Sequence, residues 1–325
     1  VTKKLSNTLN ADVTIQRIHY RPLNQLTVDS LFISDQQHDT LAFVEQANIQ
    51  FNFLQLPYKR LDFMQLQLQK PYVNIYSIND SVLNYQFLQD MLQRPDTTLF
   101  PLRVNIDKLQ LSDLRFRYNE LLVDNVNIDL ALPIFSADSM DLQIHQMSLR
   151  AQLGQLGACL EANIHGGLDS IFVDKILLSY NNIQLFNGDI TVYHPTQIEQ
   201  LYTQVNCQDL YCNYALLQDI IAQLTHQPVK FPKIVANLGH IHYRGNIKGR
   251  LENMNLIGSF SSQLGIINVN GGVQIDTTFQ DINFHGYIAG NDFQLGKLIN
   301  DSDFGELSFH ANMDGELDSF QLTKC

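Results

Sequence analysis

Hydrophobic and polar residues alternate along most of this chain with a period of two, the signature of a strand that buries one face. Residues 47–53 show it: Ala47, Ile49, Phe51 and Phe53 fall on one face, Asn48, Gln50 and Asn52 on the other. The alternation recurs at Leu102/Val104/Ile106, Leu114/Phe116/Tyr118, Val126/Ile128/Leu130 and Ala158/Leu160/Ala162/Ile164. It continues at Ile176/Leu178/Tyr180, Ile234/Ala236/Leu238, Ile282/Phe284/Ile288 and Leu307/Phe309/Ala311/Met313. In places the parity slips by one. Leu61 and Phe63 are followed by Leu66 and Leu68, and Val13 and Ile15 by Ile18 and Tyr20. A slip within a strand exchanges its faces, so a bulge or short bend is expected at each.

Short polar segments at Ser34–Thr40, Asn119–Glu120, Asn181–Asn182 and Asn270–Gly272 read as hairpin connections. They favour sequential antiparallel strands over βαβ crossovers, which need long connections. Three segments read as amphipathic helices: 82–92, 213–225 and 292–299, the last with Asn291 as N-cap.

On the order of eighteen strands spaced about 4.8 Å apart would make a sheet roughly 85 Å long. An apolar face of that size must be covered. A second sheet, a membrane around a barrel, or the sheet curling over itself around lipid would each cover it. The absence of Trp and the mid-strand Phe residues count against a barrel, which carries aromatic girdles. The parity slips favour a curled sheet.

Apolar residues make up 45% of the 325 residues, which excludes a disordered chain. The net charge of −12, with no basic run, excludes a nucleic-acid partner. No apolar stretch of about 18 residues occurs, so no membrane-spanning helix is expected within the chain. Val1 does not read as a natural start, and a fragment of a longer protein is expected. The four cysteines match no metal or redox motif; Cys207 and Cys212 are read as free thiols, with a disulfide between them as the alternative. His240 and His242 share a strand face without a third metal ligand, so they read as exposed histidines and no metal site is expected. Arg115 and Arg117 share an outward face, where they would be solvated or meet lipid headgroups. No nucleophile-elbow, zincin, phosphate-loop or dinucleotide motif is present, and an enzyme is not expected.

The first hundred residues carry a family resemblance. A strand ending near Ile15–Ile18 is followed by L-x-V-x-x-L-x-I-x-D from Leu26 to Asp35 and then by D-T-L at Asp39–Leu41. This run resembles the N-terminal region of TamB and AsmA-like envelope proteins, particularly those of Bacteroidetes-type bacteria. Phe293–Leu317 is similar to the strand–glycine–strand units of the same family. The resemblance implies an elongated, curled antiparallel β-sheet, a taco-like groove with a few short helices, held in the periplasm. It implies one β-groove segment over 1–325, with sub-segments 1–95, 96–205 and 206–325. It further implies an inner-membrane helix upstream and a C-terminal domain downstream that meets an outer-membrane barrel partner.

The implied function is a phospholipid conduit between the two membranes. The competing readings are an assembly module for outer-membrane proteins and a passive β-repeat protein without lipid. No cofactor is expected beyond bound phospholipid, whose acyl chains would meet the apolar face. The expected lining begins with Ile49, Phe51, Phe53, Leu66 and Leu68. Val104, Ile106, Leu114, Phe116, Val126, Ile128 and Leu130 extend it. Leu160, Ile164, Leu178, Ile234 and Leu238 continue the lining, and Ile282, Phe284, Leu307 and Phe309 complete it.

Overall fold

The computed structural model of the chain describes residues 6, 11–22, 24–52, 54, 60–79, 82–87, 103–119, 121–135, 139–150, 157–167, 169–195, 197, 200–225, 233–250, 252–275, 281–318 and 321–324. Two compact units emerge, Val1–Gly167 with Ser179–Asn182, and Leu168–Leu178 with Ile183–Cys325. Both are mainly β.

The first unit contains β1 (Val13–Arg21), β2 (Gln25–Ser34), β3 (Thr40–Phe51), β4 (Arg60–Gln69), β5 (Tyr72–Ile75), β6 (Ser77–Asn79) and β7 (Val82–Leu83). Then come β8 (Arg103–Tyr118), β9 (Leu121–Phe135), β10 (Met140–Arg150) and β11 (Gly157–Gly166). β1, β2 and β3 pair antiparallel in sequence, β3 pairs with both β4 and β5, and β8 to β11 form a second antiparallel run. The two runs join through β8, which lies parallel to β4 and β5. The sheet is therefore mixed, where the sequence pattern called for antiparallel pairing throughout. Alternation records which face a side chain takes, not the direction of the neighbouring strand. The intervening residues 76–102 supply the length a parallel return needs.

After β12 (Ser170–Tyr180), the second unit contains β13 (Ile183–Tyr193), β14 (Tyr202–Asn213), α1 (Tyr214–Thr225), α2 (Lys233–Asn237), β15 (His240–Arg250), β16 (Asn253–Ser262) and β17 (Gly265–Ile275). It ends with β18 (Asp281–Gln294), α3 (Leu295–Ile299), β19 (Glu306–Asp318) and β20 (Gln321–Lys324). From β13 to β20 each strand pairs antiparallel with the next.

The expected turns at Ser34–Thr40, Asn119 and Asn181–Asn182 are present. Asn119, Asn181 and Asn182 take the left-handed backbone of tight hairpins, with φ of 52°, 49° and 62°. The expected turn at Asn270–Gly272 is absent, because these residues lie inside β17 and pair with Tyr287, Gly286 and His285. The helix expected over 213–225 is α1. The one expected over 82–92 opens instead with strand β7 and is helical at Gln86 and Phe87, and residues 88–92 lie outside the described residues. At 292–299 only Leu295–Ile299 is helical. Asn291 remains in β18, and Gln294 takes the N-cap position without a side-chain cap. The strand expected at Ile234/Ala236/Leu238 is helix α2, which Gly239 closes with φ 67°. Five residues are too few to separate a period of 2 from one of 3.6, and the Gly after the segment was the better signal.

Each parity slip has a structural cause. At the first, Gln50 faces Gln65 but Phe51 faces Phe63, leaving Met64 as the extra residue of a bulge, 39% exposed. The second keeps its register: Ile15 faces Leu31 and Arg17 faces Asp29. Here both strands change parity together. The change continues from strand to strand: Val28 to Leu31 in β2, Val44 to Ala47 in β3, Leu111 to Leu114 in β8 and Val123 to Val126 in β9. Between β4 and β5 it falls at Lys70. Ser30, Lys70, Asp113 and Asn125 have φ of 52°, 45°, 57° and 57° along this line. The result is one crease across the sheet, with apolar residues on the same face to either side.

The motif residue Asp35 closes the β2–β3 hairpin. Its carboxylate accepts hydrogen bonds from the backbone N–H groups of Gln37 and Asp39 (both 2.9 Å), from Tyr76 Oη (2.7 Å) and from Asn84 Nδ2 (3.1 Å). Asp35 and Asn84 are each 1% exposed. Burial pushes the Asp35 carboxyl up, but these hydrogen bonds together outweigh it and hold the group below its ordinary value.

Candidate apolar ligand face

The paired registers assemble the apolar positions of the first unit into rows that cross the strands. One row runs Tyr20, Leu26, Ile49, Leu66, Leu109, Leu130, Ile144 and Ala162, each facing the next on a neighbouring strand. The adjacent row runs Ile18, Val28, Ala47, Leu68, Leu111, Ile128, Met147 and Leu160. Beyond the crease, Val13, Ile33, Ala42, Val73, Phe116 and Val123 form another, and Leu114 faces Val126 beside it. On the far side, Phe51 faces Phe63, Phe63 faces Ile106, and Ile164 faces Leu142. Val104 lies two residues before Ile106 on the same strand face.

Eight strands at about 4.8 Å span roughly 34 Å, and the rows on both sides of the crease span roughly 24 Å along the strands. The face is thus on the order of 800 Å², above the few hundred that a soluble monomer ordinarily leaves bare. It is not covered among the described residues. Val28, Ala47, Ile106, Val126 and Ala162 are buried, but Leu66, Leu68, Leu109, Leu111, Ile128, Leu130 and Leu160 are only half-buried. On the edge strand β1, Ile18 and Tyr20 are 44% and 65% exposed. A face packed under a second sheet would bury these side chains as a protein interior does. The buried cluster of Val28, Val44 and Ala47 has Ile15, Leu26, Leu31, Ile49 and Leu68 packed against it. These neighbours all come from the same face and supply no second layer.

The opposite face carries amides. Thr27 Oγ1 donates to Asn48 Oδ1 at 2.9 Å, Gln67 Nε2 to Gln110 Oε1 at 2.9 Å, and Gln110 Nε2 to Asp129 Oδ2 at 3.0 Å. One sheet thus has a polar side stitched by side-chain hydrogen bonds and an apolar side without a second layer among the described residues.

The second unit repeats the arrangement with glycine in it. One row runs Phe186, Leu210, Tyr243, Phe260, Ile267, Gly290 and Phe309; another runs Ile190, Val205, Ile247, Leu256, Gly271, Gly286 and Met313. Aromatic rings lie over the glycines. A Cβ on Gly258 would stand 2.8 Å from the Tyr243 ring, on Gly290 2.7 Å from Phe309 and on Gly315 2.2 Å from Phe284. The ring covers backbone that glycine leaves bare and gives the strand a packed face. Tyr243 is 2% exposed, and its hydroxyl lies 3.2 Å from the Ile257 carbonyl and 3.3 Å from that of Asn246. Burial, with a contribution from Cys207, pushes the phenol up to about 12.

The structure therefore gathers Ile49, Phe51, Leu66, Leu68, Val104, Ile106, Leu114, Phe116, Val126, Ile128, Leu130, Leu160 and Ile164 on one face of the first unit. Phe284, Leu307 and Phe309 share a face in the second unit, Ile282 sits in β18, and Leu178 is half-buried in β12. Ile234 lies in α2 and Leu238 in the turn after it, so neither is a strand position. Phe53 lies outside the described residues. Tyr243, Phe260, Ile247 and Leu256 belong to the face but escaped the sequence reading, because glycine interrupts the alternation around them.

Other chemistry on the strands is accounted for locally. His242 Nδ1 lies 3.0 Å from Asp209, and Arg244 Nε donates to the same carboxylate at 3.3 Å. Cys159, Cys207 and Cys212 are free thiols. Cys207 Sγ donates to the Tyr243 carbonyl at 3.5 Å, and burial raises the pKa of both Cys207 and Cys212. Among the described residues no cluster of three or more metal-binding side chains occurs, and no helix is long and apolar enough to cross a membrane. Comparison with protein-family models, curated proteins and solved structures finds no match to this chain.

Proposed function

We propose that the apolar face is a working surface for lipid acyl chains, and that the chain is a stretch of a periplasmic conduit carrying phospholipid between the membranes of a cell envelope. The observation that carries this reading is the pair of apolar rows continuous over eight strands, whose Leu and Ile side chains stay half-buried or exposed. Burying a CH₂ is worth about 0.8 kcal/mol, so a sixteen-carbon tail exposed to water costs on the order of 12 kcal/mol. A lipid crosses an aqueous gap only along a surface that offsets that cost at each point. Rows made mostly of Leu and Ile, renewed on every strand, do so in short steps. In this reading the crease and the bulge at Met64 curl the sheet so that the apolar face becomes a groove floor. Phospholipid is the cargo, and an inner-membrane anchor and an outer-membrane barrel partner complete the pathway in the whole protein.

The test is fluorescent-phospholipid transfer between vesicles, with Ile128→Asp on the apolar face and Asn127→Asp, its neighbour on the opposite face. The expected result is loss of transfer with Ile128→Asp alone. Equal transfer by both variants and the parent protein, from preparations that carry no lipid, would refute the reading.

A further inference from the structure

The polar face of the first unit contains a feature that the apolar floor does not explain. Where the crease crosses it lies a cleft of about 600 Å³. Phe32, Phe43 and Tyr72 line it from directly opposed positions on β2, β3 and β5, and Arg115 follows in the same row on β8. Three adjacent aromatic side chains, each half-buried, sit on a face whose next rows across the crease are Asp29, Gln46, Gln69 and Ser112, then Thr27, Asn48, Gln67 and Gln110. They contribute nothing to the apolar rows behind them.

The charges of the cleft come in pairs. Arg115 Nε donates to Asp124, whose side chain is 6% exposed, while the Arg115 side chain is 60% exposed. The guanidinium is therefore held at Nε, while its two terminal nitrogens belong to an exposed side chain of the cleft lining. Lys70 Nζ lies 2.9 Å from Glu45. With both cations paired and Asp113 also on the wall, the cleft has no excess positive charge to hold a phosphate. Its backbone is spent as well. The strands that line it are paired with one another, so an added peptide strand would find no open edge. Three wall residues, Lys70, Asp113 and Asn125, hold left-handed backbone that is unfavourable for residues with a Cβ, and such conformations gather at functional sites.

Aromatic walls beside fixed donor–acceptor pairs of nearly balanced charge suit a ligand with apolar faces and a rim of hydroxyls. We propose that this cleft binds a neutral oligosaccharide, with Phe43 and Tyr72 against the C–H faces of the sugar rings and the free Arg115 nitrogens donating to hydroxyl oxygens. The site is separate from the lipid face, and its occupancy does not depend on lipid transfer.

Saturation-transfer NMR and calorimetry with chitotetraose, cellotetraose and maltotetraose test it. At least one of the three binds the parent chain. That binding falls at least tenfold in Tyr72→Ala and in Phe43→Ala, and severalfold in Arg115→Lys, which keeps the charge beside Asp124 but loses the guanidinium fork. Tyr211→Ala, in the other unit, leaves it unchanged. Circular dichroism of each variant separates lost binding from lost folding, and Arg115→Lys keeps the test open should the aromatic variants unfold. No binding of any of the three at 10 mM, binding that survives in a folded Tyr72→Ala, or displacement of the sugar by an unstructured peptide would overturn the proposal.

Discussion

Replacing Asp35 with Ala should loosen the β2–β3 hairpin and everything hydrogen-bonded to it. The carboxylate receives four hydrogen bonds, two from backbone N–H groups and two from Tyr76 and Asn84. A hydrogen bond to a charged group is worth about 1.5–3 kcal/mol net, and a buried donor left without a partner costs about 1–3 kcal/mol. Water entering the space left by the side chain recovers part of this. The four bonds also share one carboxylate, so their values do not add. A loss of about 3–5 kcal/mol follows. The folded pKa of Asp35 lies below the unfolded one. Its contribution is therefore complete above the model-peptide carboxylate value and fades as the pH falls through the lower folded value. Asp35→Asn should remove that acid-side dependence while keeping one acceptor oxygen, and so should cost less than Asp35→Ala. Hydrogen exchange read by mass spectrometry is the appropriate assay, because it reports the hairpin separately from the second unit. Peptides covering residues 34–44 and 72–78 should exchange faster in Asp35→Ala, while those covering 253–262 should not change. Unchanged protection at 34–44 would refute the view that this carboxylate holds the hairpin closed.

Tyr243→Phe should cost about 1 kcal/mol by denaturation, the value of one hydroxyl hydrogen bond, and Tyr243→Ala about 3–5 kcal/mol through the cavity it leaves over Gly245 and Gly258. The raised phenol makes the Tyr243 contribution whole below pH 10 and lost as the pH rises toward about 12, which a stability series at alkaline pH would record. Gly258→Ala should destabilise the β15–β16 pair by more than about 1 kcal/mol, because its Cβ would stand 2.3 Å from the Arg244 carbonyl oxygen; exchange at 241–262 reads this directly. Cys207, 4% exposed, should resist alkylation in the native protein and react on unfolding, while half-buried Cys212 reacts sooner.

The faces of the strands were legible in the sequence and their partners were not. Alternation alone placed Ile49, Leu66, Ile128 and Leu130 with their apolar sides together, because a one-residue error would turn a whole strand over. It also located the crease, although as a slip in one strand rather than a line shared by several. The parallel return of β4 and β5 onto β8 leaves no trace in alternation. In the second unit, glycine erased the signal. Asn270–Gly272 has turn composition but lies mid-strand, where Gly271 faces Gly286 and a Cβ on Gly271 would stand 2.4 Å from the His285 carbonyl oxygen. The aromatic row Phe32, Phe43 and Tyr72 was equally hidden, because it becomes a row only once three strands are in register.

The central claim is that one face of this sheet holds lipid and the other does not. A photoreactive p-benzoylphenylalanine at Leu111 and, separately, at Gln110 tests it, since the two residues are neighbours on β8 and point to opposite faces. Irradiation of the purified protein with phospholipid vesicles, followed by intact-mass measurement, should give a phospholipid adduct at position 111 and none at 110. Adducts of equal yield at both positions, or at neither, would contradict the account.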